Sequence, residues 1–186
     1  MRLTLIFVLS HLLSGIGSPT LPSGSLGQQP SKVAISTEQL IGSWRLVSVE
    51  TIRPSGEVIF PFYGQHPQGL LVYENTGWMS VQIVSDPKPE VPRSDSREGF
   101  QAAPLAEKAK AVDGYYAYFG TWTVDTAQST VTHHIQQSLY PAERGEIGVR
   151  KASIDGDRLM LTANAHEMGE DHQRRLVWQR LPRTSQ

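Results

Sequence analysis

His133 and His134 stand together in the run TVTHHIQQSL, residues 130–139. Imidazole ordinarily changes charge near neutral pH, so either ring can serve as a general acid or base. In a regular strand, adjacent side chains point to opposite faces. One histidine therefore faces in and the other out, and the pair cannot chelate a single metal ion. The face Val131, His133, Ile135 is the more apolar, which selects His133 as the interior group. Two roles are open to it: acid–base chemistry, or a structural part with its ring nitrogens satisfied by hydrogen bonds. Arg150, on a later strand, supplies a planar fork of donors suited to a carboxylate or enolate oxygen. It can equally neutralise Glu50 or stack on Trp44. Together with Tyr118 these residues form the expected catalytic set: His133, Arg150 and Tyr118.

A second set could line a pocket. Tyr and Trp give large contact area with a polar tip, and Tyr73, Trp78, Tyr116, Trp122 and Trp178 are candidates for ligand contact, with Ser48 and Gln82 as polar companions. Strand alternation sends half of each strand outward, so about half of these belong to the outer surface. Tyr116, Tyr118 and Trp122 share one face if their strand is regular, and Gly120 on that face is expected to open space beside them.

Other constellations are weaker. His166–His172 (HEMGEDH) has no HExxH spacing and is expected to be a solvated loop between two strands, not a metal site. Ser43, Ser48 and Ser80 lack the Gly-x-Ser-x-Gly elbow of a hydrolase. There is no phosphate loop and no dinucleotide fingerprint, so no cofactor is expected. The absence of Cys excludes disulfides and thiolate chemistry. The 17 basic and 18 acidic residues nearly cancel, which argues against a nucleic-acid partner. Oligomeric state is left open.

The positioning elements are strands. Gly42–Ile52 is a first strand, with Trp44, Leu46 and Ser48 on one face. An Arg53–Gly56 turn leads to a strand over Glu57–Phe62. Gly69–Tyr73 and Trp78–Val84 form a hairpin about Glu74–Gly77. Ser85–Phe100 is a proline-bearing loop read as a lid, and Ala102–Val112 is a helix with Leu105, Ala109 and Val112 on one side. Tyr115–Val124, Thr130–Leu139, Val149–Ile154, Arg158–Ala163 and Arg174–Leu181 follow as strands, with Asp155-Gly156 as a hairpin turn. The pattern gives about nine short strands and one helix, a mainly β antiparallel up-and-down barrel. At the amino end, Arg2, the apolar run Leu3–Leu13 and the small residues Ser14, Gly15 and Gly17 have the three regions of a secretory signal. Residues 1–17 are thus expected to be a signal peptide, 18–36 a flexible leader and 37–182 the domain. The expected location is outside the cell or in the secretory lumen, with no membrane anchor in the mature form.

Several segments resemble the lipocalin-like domain family. They are LIGSWRLVSVETIRPSGEVIFPFYGQHPQGLLVYENTGWMSVQ, VDGYYAYFGTWTVDTAQSTVTHHIQQSLYP, VRKASIDGDRLMLTA and LVWQR, and the resemblance runs from about Leu40 to Arg180. It implies a barrel enclosing a small apolar molecule. It also implies that Trp44, in Gly-x-Trp, sits at the closed end with an Arg of the last strand, Arg180, over it. Some lipocalin-fold proteins of natural-product pathways act as cyclases or isomerases, and by analogy the expected function is a cofactor-free step of that kind on a small apolar metabolite. The alternative is a carrier that binds a small hydrophobic ligand unchanged. The sequence departs from the family pattern after Leu139-Tyr140-Pro141. Ala142-Glu143 stands where Asn-Trp is usual, and Gly148 where a Gln usually precedes the Val-Arg pair.

Overall fold

Short alternating runs, cut by turns that carry Gly and Pro, make strands that bury one face each. The computed structural model describes residues 34–88, 96–167 and 169–182. The expected signal segment 1–17, most of the leader (18–33) and the middle of the proline-bearing loop (89–95) lie outside the described residues. The strands are β1 (Gly42–Ile52), β2 (Val58–Ile59), β3 (Gln68–Tyr73), β4 (Trp78–Val84), β5 (Tyr115–Asp125), β6 (Thr130–Ser138), β7 (Ile147–Asp155), β8 (Arg158–Glu167) and β9 (Glu170–Arg180). All pairings are antiparallel between neighbours. β2 is a short flap on β1, much less than the strand expected over Glu57–Phe62. β1 pairs with both β3 and β9, which closes the other eight of the nine strands into a barrel and removes the free edges of the sheet.

Two bulges set which residues face inward. In β1 the register against β9 shifts between Leu46 and Ser48. The extra residue, Val47, reverses the alternation. Trp44 and Leu46 are inside before it, and Val49 and Thr51 are buried after it. This overturns the expectation for Ser48. Its hydroxyl instead donates to Glu50 at 2.7 Å, and Arg175 Nε donates to the same carboxylate at 2.6 Å. In β6 the shift falls opposite Phe119 and Gly120, with Gln136 as the extra residue. A Cβ on Gly120 would lie 2.0 Å from the His134 carbonyl oxygen. Gly120 thus admits the bulged backbone and does not open space in the interior. Beyond the bulge Ser138 becomes an inward, buried residue.

One end of the barrel is shut by α1 (Thr37–Leu40), which starts in a capping box between Ser36 and Gln39. Ile35, expected in the leader, is only 2 % exposed and joins the core. The helix expected over Ala102–Val112 is two helices, α2 (Arg97–Ala102) and α3 (Leu105–Asp113). Pro104 lacks an amide hydrogen and pushes Ala103 to extended dihedrals, which breaks the helix there. The loop expected over 165–173 is also shorter. β8 and β9 run on through alternating polar residues, with Ala165 opposite His172 and His166 opposite Asp171. Among the described residues no helix is long and apolar enough to cross a membrane.

Candidate functional site

Inside the barrel, towards the end away from α1, lies a cavity of about 390 Å³. That is at the small end of the roughly 300–1,000 Å³ typical of small-molecule sites. Its apolar wall comes from β1, β3, β4, β8 and β9: Val49, Leu71, Val81, Ile83, Leu161, Leu176 and Trp178. Its polar wall comes from β5, β6 and β7: Tyr116, Tyr118, His133 and Arg150. Arg174 of β9 adds a second guanidinium, 4.0 Å from the Phe62 ring centre. Phe62, Tyr63, Tyr140 and Glu143 come from the loops at the mouth.

His133 is the centre of the polar wall. It is 1 % exposed, and both of its ring nitrogens have tyrosine partners. Tyr73 Oη lies 2.5 Å from Nε2 and Tyr118 Oη lies 2.8 Å from Nδ1. Burial pushes its pKa well below the ordinary imidazole value, and the nearby Arg150 and His134 add to this. The ring is therefore neutral, with one N–H and one lone pair. Burial likewise raises Tyr73, Tyr116 and Tyr118 above the usual phenol value, so all three keep their protons.

These facts fix the direction of the chain of hydrogen bonds. Tyr73 is completely buried beside Trp122, with ring centres 4.6 Å apart, and His133 is its hydrogen-bond partner. Among the described residues Tyr73 has no other acceptor, so if it accepted from the ring its own proton would be stranded in the core at the cost of an unmade hydrogen bond. Tyr73 therefore donates to Nε2. Nδ1–H then donates to Tyr118, and the Tyr118 hydroxyl proton is left for the cavity that Tyr118 lines. His133 positions this donor, and both of its ring nitrogens are taken by tyrosines.

Arg150 sits beside this chain for a reason of register. Gly148 on β7 is the partner of His133 on β6. The Arg150 side chain folds back along its own strand, and Nη1 donates to the Gly148 carbonyl at 3.0 Å. A Cβ at position 148 would lie 2.3 Å from that nitrogen, so the glycine makes the place the guanidinium occupies. Burial opposes its charge, while the neighbouring tyrosines and Glu143 favour it, and the cation persists. Glu50 is taken by Arg175 and Trp44 by Arg180, so neither alternative role suggested for Arg150 is available. At the mouth, Glu143 accepts from Ser138 at 2.6 Å and from Tyr116 at 3.0 Å, and Tyr140 stacks on Tyr116 with centres 5.7 Å apart.

Of the residues expected to bear function, the cavity gathers His133, Arg150, Tyr118, Tyr116 and Trp178. Trp178 is fully buried, and its Nε1 has no hydrogen-bond partner among the described residues. The others lie elsewhere. Tyr73 and Trp122 are core below the cavity, the latter donating to the Glu74 carbonyl at 3.1 Å. Ser48 is displaced by the β1 bulge. Trp78 is 46 % exposed beside Phe119, and Gln82 shares its outward parity on β4, whose buried residues are Met79, Val81 and Ile83. Glu143, Ser138, Arg174 and Tyr63 were not anticipated. Only the departure from the family pattern at Ala142-Glu143 marked that loop.

The closed end has a different composition. Arg180 lies over the Trp44 ring at 4.0 Å, donates to the Ile41 carbonyl at 3.1 Å, and donates to the Gln39 carbonyl. Trp44 Nε1 donates to the Leu40 carbonyl at 2.9 Å. A larger depression of about 800 Å³ between the β1–β2 turn and the β8–β9 hairpin is an open surface feature. Its exposed His166 and Asp171 pair with each other at 2.7 Å, and no metal-holding cluster occurs among the described residues.

The sequence pattern of the lipocalin-like domain matches residues 41–181, the whole barrel. No curated protein matches the chain. A barrel of this kind, with an interior cavity, is suited to binding a small ligand.

Proposed function

The chain belongs to the lipocalin-like domain family, and we propose that it binds a small, largely apolar molecule inside its barrel through one oxygen-bearing end. The cavity carries this reading: an apolar wall faces a polar one, on which the Tyr118 hydroxyl has a proton to give. Desolvated apolar surface supplies affinity and the single polar side supplies orientation. The neutral fluorophore N-phenyl-1-naphthylamine tests it. Saturable one-to-one binding is expected, lost when Leu176→Trp fills the cavity and kept when Trp78→Ala alters the outer face. Binding that survives Leu176→Trp would place the ligand elsewhere and refute the reading.

A second reading gives the same cavity turnover, as a cofactor-free cyclase or isomerase of a natural-product route. The observation in its favour is the directed chain Tyr73–His133–Tyr118 beside Arg150. Tyr118 could donate to a carbonyl oxygen as charge develops there, with Arg150 stabilising it. Product formation that withstands EDTA and falls about 10²-fold or more in Tyr118→Phe would favour it over simple carriage. Release of unchanged ligand would sink it. Export completes the proposal, supported by the signal-like run Leu3–Leu13. Detection of the chain in culture medium, shortened near residue 17, would test that.

A further inference from the structure

Arg150 brings to the cavity a charge that Glu143 and the tyrosines favour but that no described carboxylate contacts. Glu143 is the carboxylate of the cavity lining, and its Oε2 already accepts from Ser138 and Tyr116. No ion pair joins Arg150 to a described carboxylate. Its one hydrogen bond among the described residues is the turn back to its own strand, Nη1 to the Gly148 carbonyl. The fork has five N–H donors, and a guanidinium turned into a barrel with donors to spare is suited to an acceptor carried by a ligand. The position of the fork also has meaning. It rests over Gly148, the register partner of His133, whose Nδ1–H orients Tyr118. The guanidinium and the Tyr118 hydroxyl thus serve one patch of the polar wall. Arg174 adds positive charge to the lining, and neutral His133 adds none.

We infer that the bound molecule is a small monocarboxylic acid, its carboxylate held by the Arg150 fork and the Tyr118 hydroxyl and its apolar body against the Leu71, Val81, Leu161 and Leu176 wall. This rests on the cavity-binding reading and narrows it to a ligand class. It also makes Gly148 a specificity-determining position. The residue there does not touch the ligand, but any Cβ evicts the guanidinium from its seat. The displaced atom is the end of a flexible side chain, so Gly148→Ala moves the cation without rebuilding the strand.

Decanoic acid and methyl decanoate, which differ in the charge of one end, test the inference by displacing N-phenyl-1-naphthylamine at neutral pH. The acid is expected to displace the reporter roughly 10- to 100-fold more effectively than the ester, as charge-assisted hydrogen bonds at a desolvated site give. In Arg150→Met that preference is expected to vanish, with acid and ester each compared against the variant's own reporter affinity. In Gly148→Ala it is expected to fall about tenfold, with the melting temperature near wild type. Equal displacement by acid and ester would overturn the carboxylate inference and leave the binding reading standing. A preference unchanged in both variants would also overturn it. Failure of the neutral reporter to bind wild-type protein would remove the binding reading itself.

Discussion

The two ends of the barrel use the same residue type in opposite ways. At the closed end Arg180 is spent on the fold: it covers Trp44 and feeds the backbone carbonyls of Gln39 and Ile41. Trp44 in turn is anchored to Leu40. At the cavity Arg150 makes one hydrogen bond among the described residues, to its own strand, and the tyrosine–histidine chain ends in a proton with no acceptor among them. Satisfied donors hold an end shut, and donors in reserve make the other end a site. The presence of an arginine near an aromatic residue distinguishes neither; the count of donors already used does.

Breaking the closed end should give the largest effect. Trp44→Ala is expected to cost about 3–5 kcal/mol of unfolding free energy, measured by urea denaturation, because it removes a fully buried indole and the surface Arg180 rests on. Arg150→Met, by contrast, should change stability little when no ligand is present, since the part-buried guanidinium holds only one hydrogen bond among the described residues. A large loss in Arg150→Met would erase the contrast.

The pH dependence of stability sharpens the cavity side. His133 is held neutral in the fold with its pKa pushed down, whereas the unfolded chain takes up a proton near pH 6.5. Below that pH the unfolded state binds more protons, so stability falls as pH drops, by at most about 1.4 kcal/mol per pH unit from this group. Above pH 6.5 the contribution is complete. His133→Gln should lower stability at pH 8 yet flatten the slope between pH 6.5 and 5, read from urea midpoints across pH. A slope identical to wild type would show that His133 is not the group that matters. The smallest effect is expected on the outside. Trp78→Ala and Gln82→Ala should each change stability by about 0.5 kcal/mol or less and leave reporter affinity unchanged.

Much of the barrel was legible because its signals are local. The bounds expected for β1 and β4 are those observed, set by turns at Arg53–Gly56 and Glu74–Gly77. The pairing of Trp44 with Arg180 joins the first strand to the last and was readable only through the family resemblance. The site was less legible, for the same reason in three places. Parity along a strand is a sound guide until a bulge, and neither Val47 nor Gln136 announces one by its type. The first bulge turned Ser48 out and Val49 in, and the second brought Ser138 to Glu143. Gly120 was misjudged because its reason lies in a partner backbone, not in its neighbours along the chain. Strand continuation through Ala163–Glu167 was hidden because polar Asn164 and His166 alternate only with the small Ala163 and Ala165. Charged loop residues such as Glu143 carry no periodicity, so their approach to Tyr116 required three dimensions.

The cavity wall keeps a proton to give, that of the Tyr118 hydroxyl, as long as His133 holds one tautomer. Side-chain ¹⁵N NMR of histidine-labelled protein at pH 7 reports this directly. A neutral His133 ring is expected, with the proton on Nδ1 and a bare Nε2. A proton on Nε2 with a bare Nδ1 would turn the hydroxyl of Tyr118 back into the wall and contradict it.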